Sequence, residues 1–95
     1  MPILQIQHKT RDFDAWKRSF DGDPVGREQG GVRSYRILRG IDDSNYVVIE
    51  LEFDSSEEAE KFGAGLRQLW DRVGGDLGLE GPQARILETA ETGDY

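Results

Sequence analysis

The feature that most constrains the fold is a pair of strand-like segments, residues 32–40 and 45–53, joined by the turn-forming sequence IDDS. If residues whose numbers sum to about 86 lie opposite each other, Arg36 faces Glu50 across a hairpin. The other pairs in this register are Ser34 with Glu52, Leu38 with Val48, Tyr35 with Leu51, and Ile37 with Ile49. Opposite charges then meet on one face and apolar side chains on the other, so both patterns predict the same register.

Two further segments have the spacing of amphipathic helices. In residues 12–22, Asp12 is a suitable N-cap. In residues 55–75, Ser55 and Glu58 have the spacing of a capping box. The glycines expected to end these helices are Gly22 and the pair Gly74-Gly75. The predicted apolar stripes are Phe13, Trp16 and Phe20 on the first helix, and Ala59, Phe62, Leu66, Leu69, Trp70 and Val73 on the second.

Residues 3–9 alternate as a strand with one apolar face, and residues 82–90 form a last predicted strand. The element order is therefore β-α-β-β-α-β, the order of the ferredoxin-like fold. We predict an α+β protein with a four-stranded antiparallel sheet and two helices on one face. The 95 residues are expected to form a single domain.

Composition excludes several classes of function. The net charge is -7, from 19 acidic and 12 basic residues, which disfavours nucleic acid and anionic membranes as partners. The chain has no cysteine, and Asp42-Asp43 lacks a third oxygen ligand at suitable spacing, so we expect neither a thiolate nucleophile nor a metal site. The N-terminal segment is too polar for a signal peptide, so we expect a cytoplasmic protein.

The sheet face away from the helices mixes apolar and polar residues. It could be solvated, as one face of many antiparallel sheets is. We favour a symmetric homodimer in which two such faces meet. The residues predicted at this interface are Gln5, Arg36, Val48 and Glu50.

Three segments carry a resemblance to a known superfamily: DFDAWKRSFD, GVRSYRILRG and VVIELEFDSSEEAEKF. The chain resembles the dimeric α/β-barrel superfamily and, within it, the antibiotic biosynthesis monooxygenase-like proteins. The resemblance covers residues 3 to about 90. It implies a homodimeric α/β barrel in which each subunit has a ligand cavity between its helices and its sheet.

The resemblance also implies a candidate activity. Members include cofactor-independent monooxygenases that act on polyphenolic polyketides, haem-degrading enzymes, isomerases and proteins without known activity. His8 is the only histidine, so the second helix offers none to bind haem. We therefore expect either cofactor-independent oxygenation of a small aromatic or polyketide-like compound, or a non-catalytic module that binds a small ligand or only dimerises.

For the oxygenase hypothesis, the expected catalytic residues are His8, as a general base, and Trp70. Each has a structural alternative, since Trp70 could be part of the core and His8 a hydrogen-bonded residue at a strand end. Gly63 lies beside Trp70 on a helical wheel, so it could open a recess or allow close packing of loop 74–81. The residues expected to contact a ligand are Trp16, Tyr35, Gly63 and Leu66.

Overall fold

A computed structural model describes residues 1–22, 26–73 and 79–95 of the chain. The predicted element order is confirmed. The elements are β1 (Ile3–Lys9), α1 (Phe13–Asp21), β2 (Ser34–Arg39), β3 (Tyr46–Glu52), α2 (Ser56–Val73) and β4 (Glu80–Leu87). Gly74-Gly75 and most of loop 74–81 lie outside the described residues. Within the described ranges, neither helix combines the length and the apolar character needed to cross a bilayer.

The four strands form one antiparallel sheet in the order β2-β3-β1-β4. The predicted hairpin register is confirmed, because Arg36 lies opposite Glu50 and Ile37 lies opposite Ile49. β1 and β3 occupy the centre of the sheet, and each connection through a helix passes over one of them. This topology is the ferredoxin-like fold that the element order predicted.

The helices begin where the sequence predicts. Asp12 accepts a hydrogen bond from the backbone N–H of Asp14 at 3.0 Å, and Gly22 follows the last residue of α1. At α2, the backbone N–H of Glu58 donates to Ser55 Oγ at 3.2 Å. These caps satisfy backbone donors that the first helical turn leaves unpaired.

The core lies between the helices and one face of the sheet. Its buried apolar residues are Leu4, Ile6, Trp16, Val47, Ile49, Leu51, Phe53, Ala59 and Phe62. All the sheet residues in this set come from β1, β3 and the residue that follows β3. The core therefore sits over the two central strands, and the two edge strands contribute only partly buried side chains.

The structure differs from the sequence prediction at β4 and at Tyr35. β4 begins at Glu80 rather than at residue 82, because Glu80 pairs with Lys9. It ends at Leu87 rather than at residue 90, because Leu87 pairs with Ile3 and β1 offers no strand residue beyond it. Tyr35 was expected among the residues under the helices, but its exposed fraction is 52%. The reason is that β2 is an edge strand, where the helical layer does not fully cover the sheet.

Candidate functional site

A cavity of about 80 Å³ lies between the helices and the face of the sheet on which they pack, which we call the covered face. Both helices and the two central strands contribute to its walls. The apolar wall residues include Ile6, Trp16, Ile49, Phe62, Leu66 and Trp70. The polar residues that reach it are His8, Ser19 and Arg27. An apolar cavity with a few convergent polar groups is the usual form of a small-molecule site.

His8 is the buried titratable group of this cavity, with an exposed fraction of 4%. Among the described residues, its Nδ1 atom has no hydrogen-bond partner. Burial lowers the pKa of His8 below its ordinary 6.5, and the backbone at Lys9 opposes this to a smaller extent. The imidazole is therefore neutral at pH 7, with one ring nitrogen left for a ligand.

The edge of the sheet is irregular directly opposite His8. The register between β1 and β4 shifts there, so that two residues, Gly81 and Pro82, face one. Gly81 has a φ of +58°, a left-handed conformation that favours glycine. Pro82 has no backbone N–H to offer the ladder. β-Bulges of this kind are over-represented beside active sites, which agrees with the position of His8.

Aromatic rings hold His8 and Arg27 at the two ends of one row. The His8 and Trp16 rings meet edge-on with centroids 5.4 Å apart, and the Trp16 and Phe20 centroids are 5.3 Å apart. The Arg27 guanidinium lies 3.8 Å from the centroid of Phe20, and its Nη1 atom donates to the Phe20 carbonyl at 2.7 Å. The row gives α1 a rigid aromatic face toward the cavity.

The structure brings together four of the six residues predicted for the ligand site. His8, Trp16, Leu66 and Trp70 all line the cavity. Tyr35 does not line it and instead packs edge-on against Phe20, with ring centroids 5.4 Å apart. The catalytic and binding roles of all these residues stay predictions.

Gly63 is buried but does not line the cavity, so the predicted recess beside Trp70 is not formed by this glycine. A Cβ atom at Gly63 would lie 3.7 Å from Leu4 Cδ1 and 3.7 Å from Arg67 Nη1, which is ordinary van der Waals contact. The missing side chain therefore leaves little unfilled space between helix and sheet.

Sequence reasoning missed Ser19 and Arg27 as cavity residues. Ser19 precedes Phe20 on α1, but it was missed because the stripe predicted for the first helix contained only aromatic residues. Arg27 lies in a glycine-rich connection that has no periodicity to orient its side chain. The guanidinium reaches the cavity through its stacking on Phe20, a tertiary contact without a signal in local sequence.

The opposite face of the sheet, on which neither α1 nor α2 packs and which we call the open face, carries the charged pair that the sequence predicted. Arg36 Nε donates to Glu50 Oε1 at 3.1 Å, and Gln5 Nε2 donates to Glu50 Oε2 at 3.4 Å. The Arg36 hydrogen bond lowers the pKa of Glu50, burial opposes this, and Gln5 lowers it further. Two further side-chain hydrogen bonds cross the strands on this face. Tyr46 Oη donates to Gln7 Oε1 at 2.8 Å, and Gln7 Nε2 donates to Gln83 Oε1 at 3.1 Å.

The described residues contain no cluster of three or more histidine, cysteine, aspartate or glutamate side chains that could hold a metal ion. In the cavity, His8 can exchange a proton and Arg27 can stabilise a negative charge. The remaining walls are apolar. The arrangement therefore combines an apolar enclosure with one group that can exchange a proton and one that can stabilise a negative charge.

No protein-family model matches the chain, and no curated protein matches it significantly. Solved structures do match it. The cofactor-independent oxygenase SnoaB from Streptomyces nogalater has a TM-score of 0.74 and 13% identity, with 96% of this chain and 94% of that chain covered. An antibiotic biosynthesis monooxygenase-like protein from Deinococcus radiodurans has a TM-score of 0.70 and 15% identity, covering 100% and 98%.

A dimeric ferredoxin-like protein from an uncultured marine organism is also similar, with a TM-score of 0.63 and 9% identity. That match covers 99% of this chain and 98% of the other. The chain thus has the ferredoxin-like fold of the antibiotic biosynthesis monooxygenase-like structures, as the sequence resemblance predicted. At these identities the likeness shows the fold alone, because one fold can support many functions.

Proposed function

We propose that this protein binds a small hydroxylated aromatic compound in the cavity and oxygenates it without a cofactor. The observation that carries the proposal is His8, which is buried in an apolar cavity and whose Nδ1 atom has no hydrogen-bond partner in the part of the chain that the structure describes. A buried polar atom without a partner costs free energy, and a ligand hydroxyl would remove that cost by donating to it. The fold of SnoaB, a cofactor-independent oxygenase, supports the choice of reaction class.

The residues of this chain would act mainly by favouring the ligand anion. In the tautomer that carries its proton on Nε2, neutral His8 can accept the phenolic proton at Nδ1. The positive charge of Arg27 in the same cavity would stabilise the phenolate that forms. The electron-rich ring of the anion, rather than a protein group, would then supply the electron that O₂ needs.

The proposal includes a homodimer formed through the open face of the sheet. That face combines the hydrogen-bonded Arg36–Glu50 pair with partly exposed apolar residues, among them Leu38 and Val48. A paired charge beside partly exposed apolar side chains suits an interface better than it suits bulk solvent. The dimeric ferredoxin-like neighbour supports this assembly.

A second candidate function is binding without chemistry. Two observations favour it. The cavity volume of about 80 Å³ is well below the roughly 300–1,000 Å³ of most small-molecule sites. Among the described residues that line the cavity, none is a carboxylate that could orient His8, an arrangement that many catalytic histidines have. A small apolar cavity without an oriented histidine would be sufficient for a protein that binds a single ring or carries a ligand without transforming it.

The deciding experiment compares binding and oxygen uptake with monocyclic and bicyclic phenols, starting with phenol and 1-naphthol. We expect the wild-type protein to bind one of them by calorimetry and to consume O₂ in an oxygen electrode. His8→Gln should abolish uptake. Lys61→Gln, on the exposed face of α2, is the matched control and should behave like wild type.

Binding without O₂ uptake by any phenol would favour the non-catalytic candidate. Unchanged uptake in His8→Gln would contradict the role given to His8. If none of the phenols binds at millimolar concentration, the cavity is not a site for this class of ligand, and the proposed oxygenation fails.

A further inference from the structure

Trp70 separates two spaces in the molecule. It lines the inner cavity described above, and it also lines an outer groove of about 780 Å³ between α2 and β4. Among the residues that the structure describes, it is the only one that lines both. The Trp70 indole is therefore a shared wall of the inner cavity and the outer groove, and a ligand that extends from one to the other would pass along it.

The groove exists because β4 carries small side chains where it faces α2. Ala84 pairs with Ile6, whose side chain is in the core, so Ala84 also points toward the helices. Pro82 and Ala84 are only partly buried and fill little of the space under α2. β4 is also the edge strand, so that the groove can be lined from both faces of the sheet.

The charges of the groove favour an anion. Among the described residues that line it, the charged ones are Arg67, Asp71 and Arg85, which together carry a net positive charge in a chain whose total is -7. Arg67 Nη2 donates to the Ala84 carbonyl at 3.3 Å, which directs the guanidinium across the groove toward β4. The Asp71 carboxylate opposes anion binding and limits its strength. An arginine presented in this way suits a carboxylate, with which it can make two parallel hydrogen bonds.

We infer that the ligand is an aromatic compound with an anionic substituent, whose ring enters the inner cavity beside Trp70 while the substituent binds Arg67 in the outer groove. This inference rests on the proposed function, because it extends the same ligand beyond the inner cavity. It also accounts for the small volume of that cavity, since the groove accommodates the rest of the molecule.

The test uses two probes that differ only in charge: 3-(4-hydroxyphenyl)propionate and 3-(4-hydroxyphenyl)propionamide. Calorimetry at pH 7.5 should show the acid binding about fivefold more tightly than the amide, the size expected for a largely exposed ion pair. The preference should weaken with added salt. Arg67→Gln should abolish the preference, whereas Lys61→Gln should retain it. Asp71→Asn should increase it.

A second readout does not depend on affinity. In ¹H–¹⁵N spectra, the Arg67 Nε signal should shift on addition of the acid and stay in place on addition of the amide. The Trp70 indole signal should shift with both, because both place a ring in the inner cavity.

The outcomes separate the two proposals. Equal binding of acid and amide would contradict the inference that the ligand has an anionic substituent, but not the proposed phenol site. A preference that survives Arg67→Gln would overturn the assignment to this groove. If neither probe nor any simpler phenol binds, the proposed function fails and this inference fails with it.

Discussion

On β1, Leu4, Ile6 and His8 are buried beneath the helices, whereas Ile3, Gln5 and Gln7 on the same strand are only partly buried on the opposite face. The two faces of the sheet are thus built from alternating residues of the same strands. The covered face is stabilised by apolar packing, and the open face is organised by cross-strand hydrogen bonds such as Arg36 with Glu50.

The comparison shows where function can reside in so small a protein. The covered face excludes water, and it buries His8, whose Nδ1 atom has no hydrogen-bond partner among the described residues and whose pKa is lowered by burial. The polar pairs of the open face satisfy one another, so they suit assembly better than chemistry. Four experiments test this contrast, in decreasing order of expected effect.

The largest effect should come from truncating the covered face. Phe53 is fully buried, with its ring centroid 5.6 Å from that of Phe62. Phe53→Ala should lower the free energy of unfolding by about 3–5 kcal/mol, because it removes apolar contacts and leaves a cavity. Leu38→Ala, on the open face, should cost less than about 1 kcal/mol. Urea unfolding at low protein concentration measures both, and equal losses would contradict the difference between the faces.

The second effect concerns the proposed dimer. Arg36→Glu places a like charge beside Glu50 in a face that we propose to be buried, which should cost about 2–5 kcal/mol of association free energy. Sedimentation velocity should show the dimer dissociating at micromolar concentration. Arg33→Glu is the control, since Arg33 precedes β2 and pairs with Asp54 on exposed surface. A dimer that survives Arg36→Glu unchanged would show that this face is not the interface.

The third effect is a pH dependence of the free energy of unfolding, which arises from His8 on the covered face. Because burial lowers the pKa of His8 in the folded state, the unfolded chain binds the proton more readily. The free energy of unfolding is therefore not reduced by His8 above the ordinary pKa of 6.5. As the pH falls below that value it decreases, and it levels off once the pH is below the folded-state pKa. Urea unfolding between about pH 5 and pH 7.5 should show this slope.

His8→Gln should remove that slope, since the chain has no other histidine. The lowered pKa of Glu50 contributes at lower pH and is present in both proteins, so it cancels in the comparison. Parallel stability profiles for wild type and His8→Gln would contradict the burial of a neutral imidazole.

The smallest effect is a gain in stability. Gly63→Ala should raise the free energy of unfolding by up to about 1 kcal/mol, because alanine favours the helix and its Cβ would meet Leu4 only at ordinary contact distance. Ligand binding should not change, as Gly63 does not line the cavity. Ala64→Gly, at an exposed neighbouring position, should lose a similar amount. A destabilising Gly63→Ala would mean that the close approach of β1 requires glycine.

Local patterns predicted those parts of the protein that depend on neighbours in sequence or on one pair of strands. The hairpin register was predictable because Arg36 and Glu50 match in charge in the same alignment in which Ile37 and Ile49 match in polarity. The start of α2 was predictable because Ser55 and Glu58 are three residues apart and cap it by their own contacts. The sequence also indicated that His8, Trp16, Leu66 and Trp70 belong to one site.

Other parts of the site could not be predicted in this way. The exposure of Tyr35 depends on how far the helical layer extends over an edge strand. Arg27 joins the cavity by stacking on Phe20, a contact between a loop and a helix face. The bulge opposite His8 depends on how β4 is aligned with β1, two strands far apart in the chain.

By itself, the sequence determined the element order, the hairpin register and the division of the sheet into two faces, because these follow from side-chain periodicity and from local pairing. Only the tertiary structure decided the volume of the cavity, the burial of His8 with no partner for its Nδ1 atom among the described residues, and the position of Trp70 between cavity and groove. These properties arise where both helices and several strands meet, and the space left between them depends on all their side chains at once.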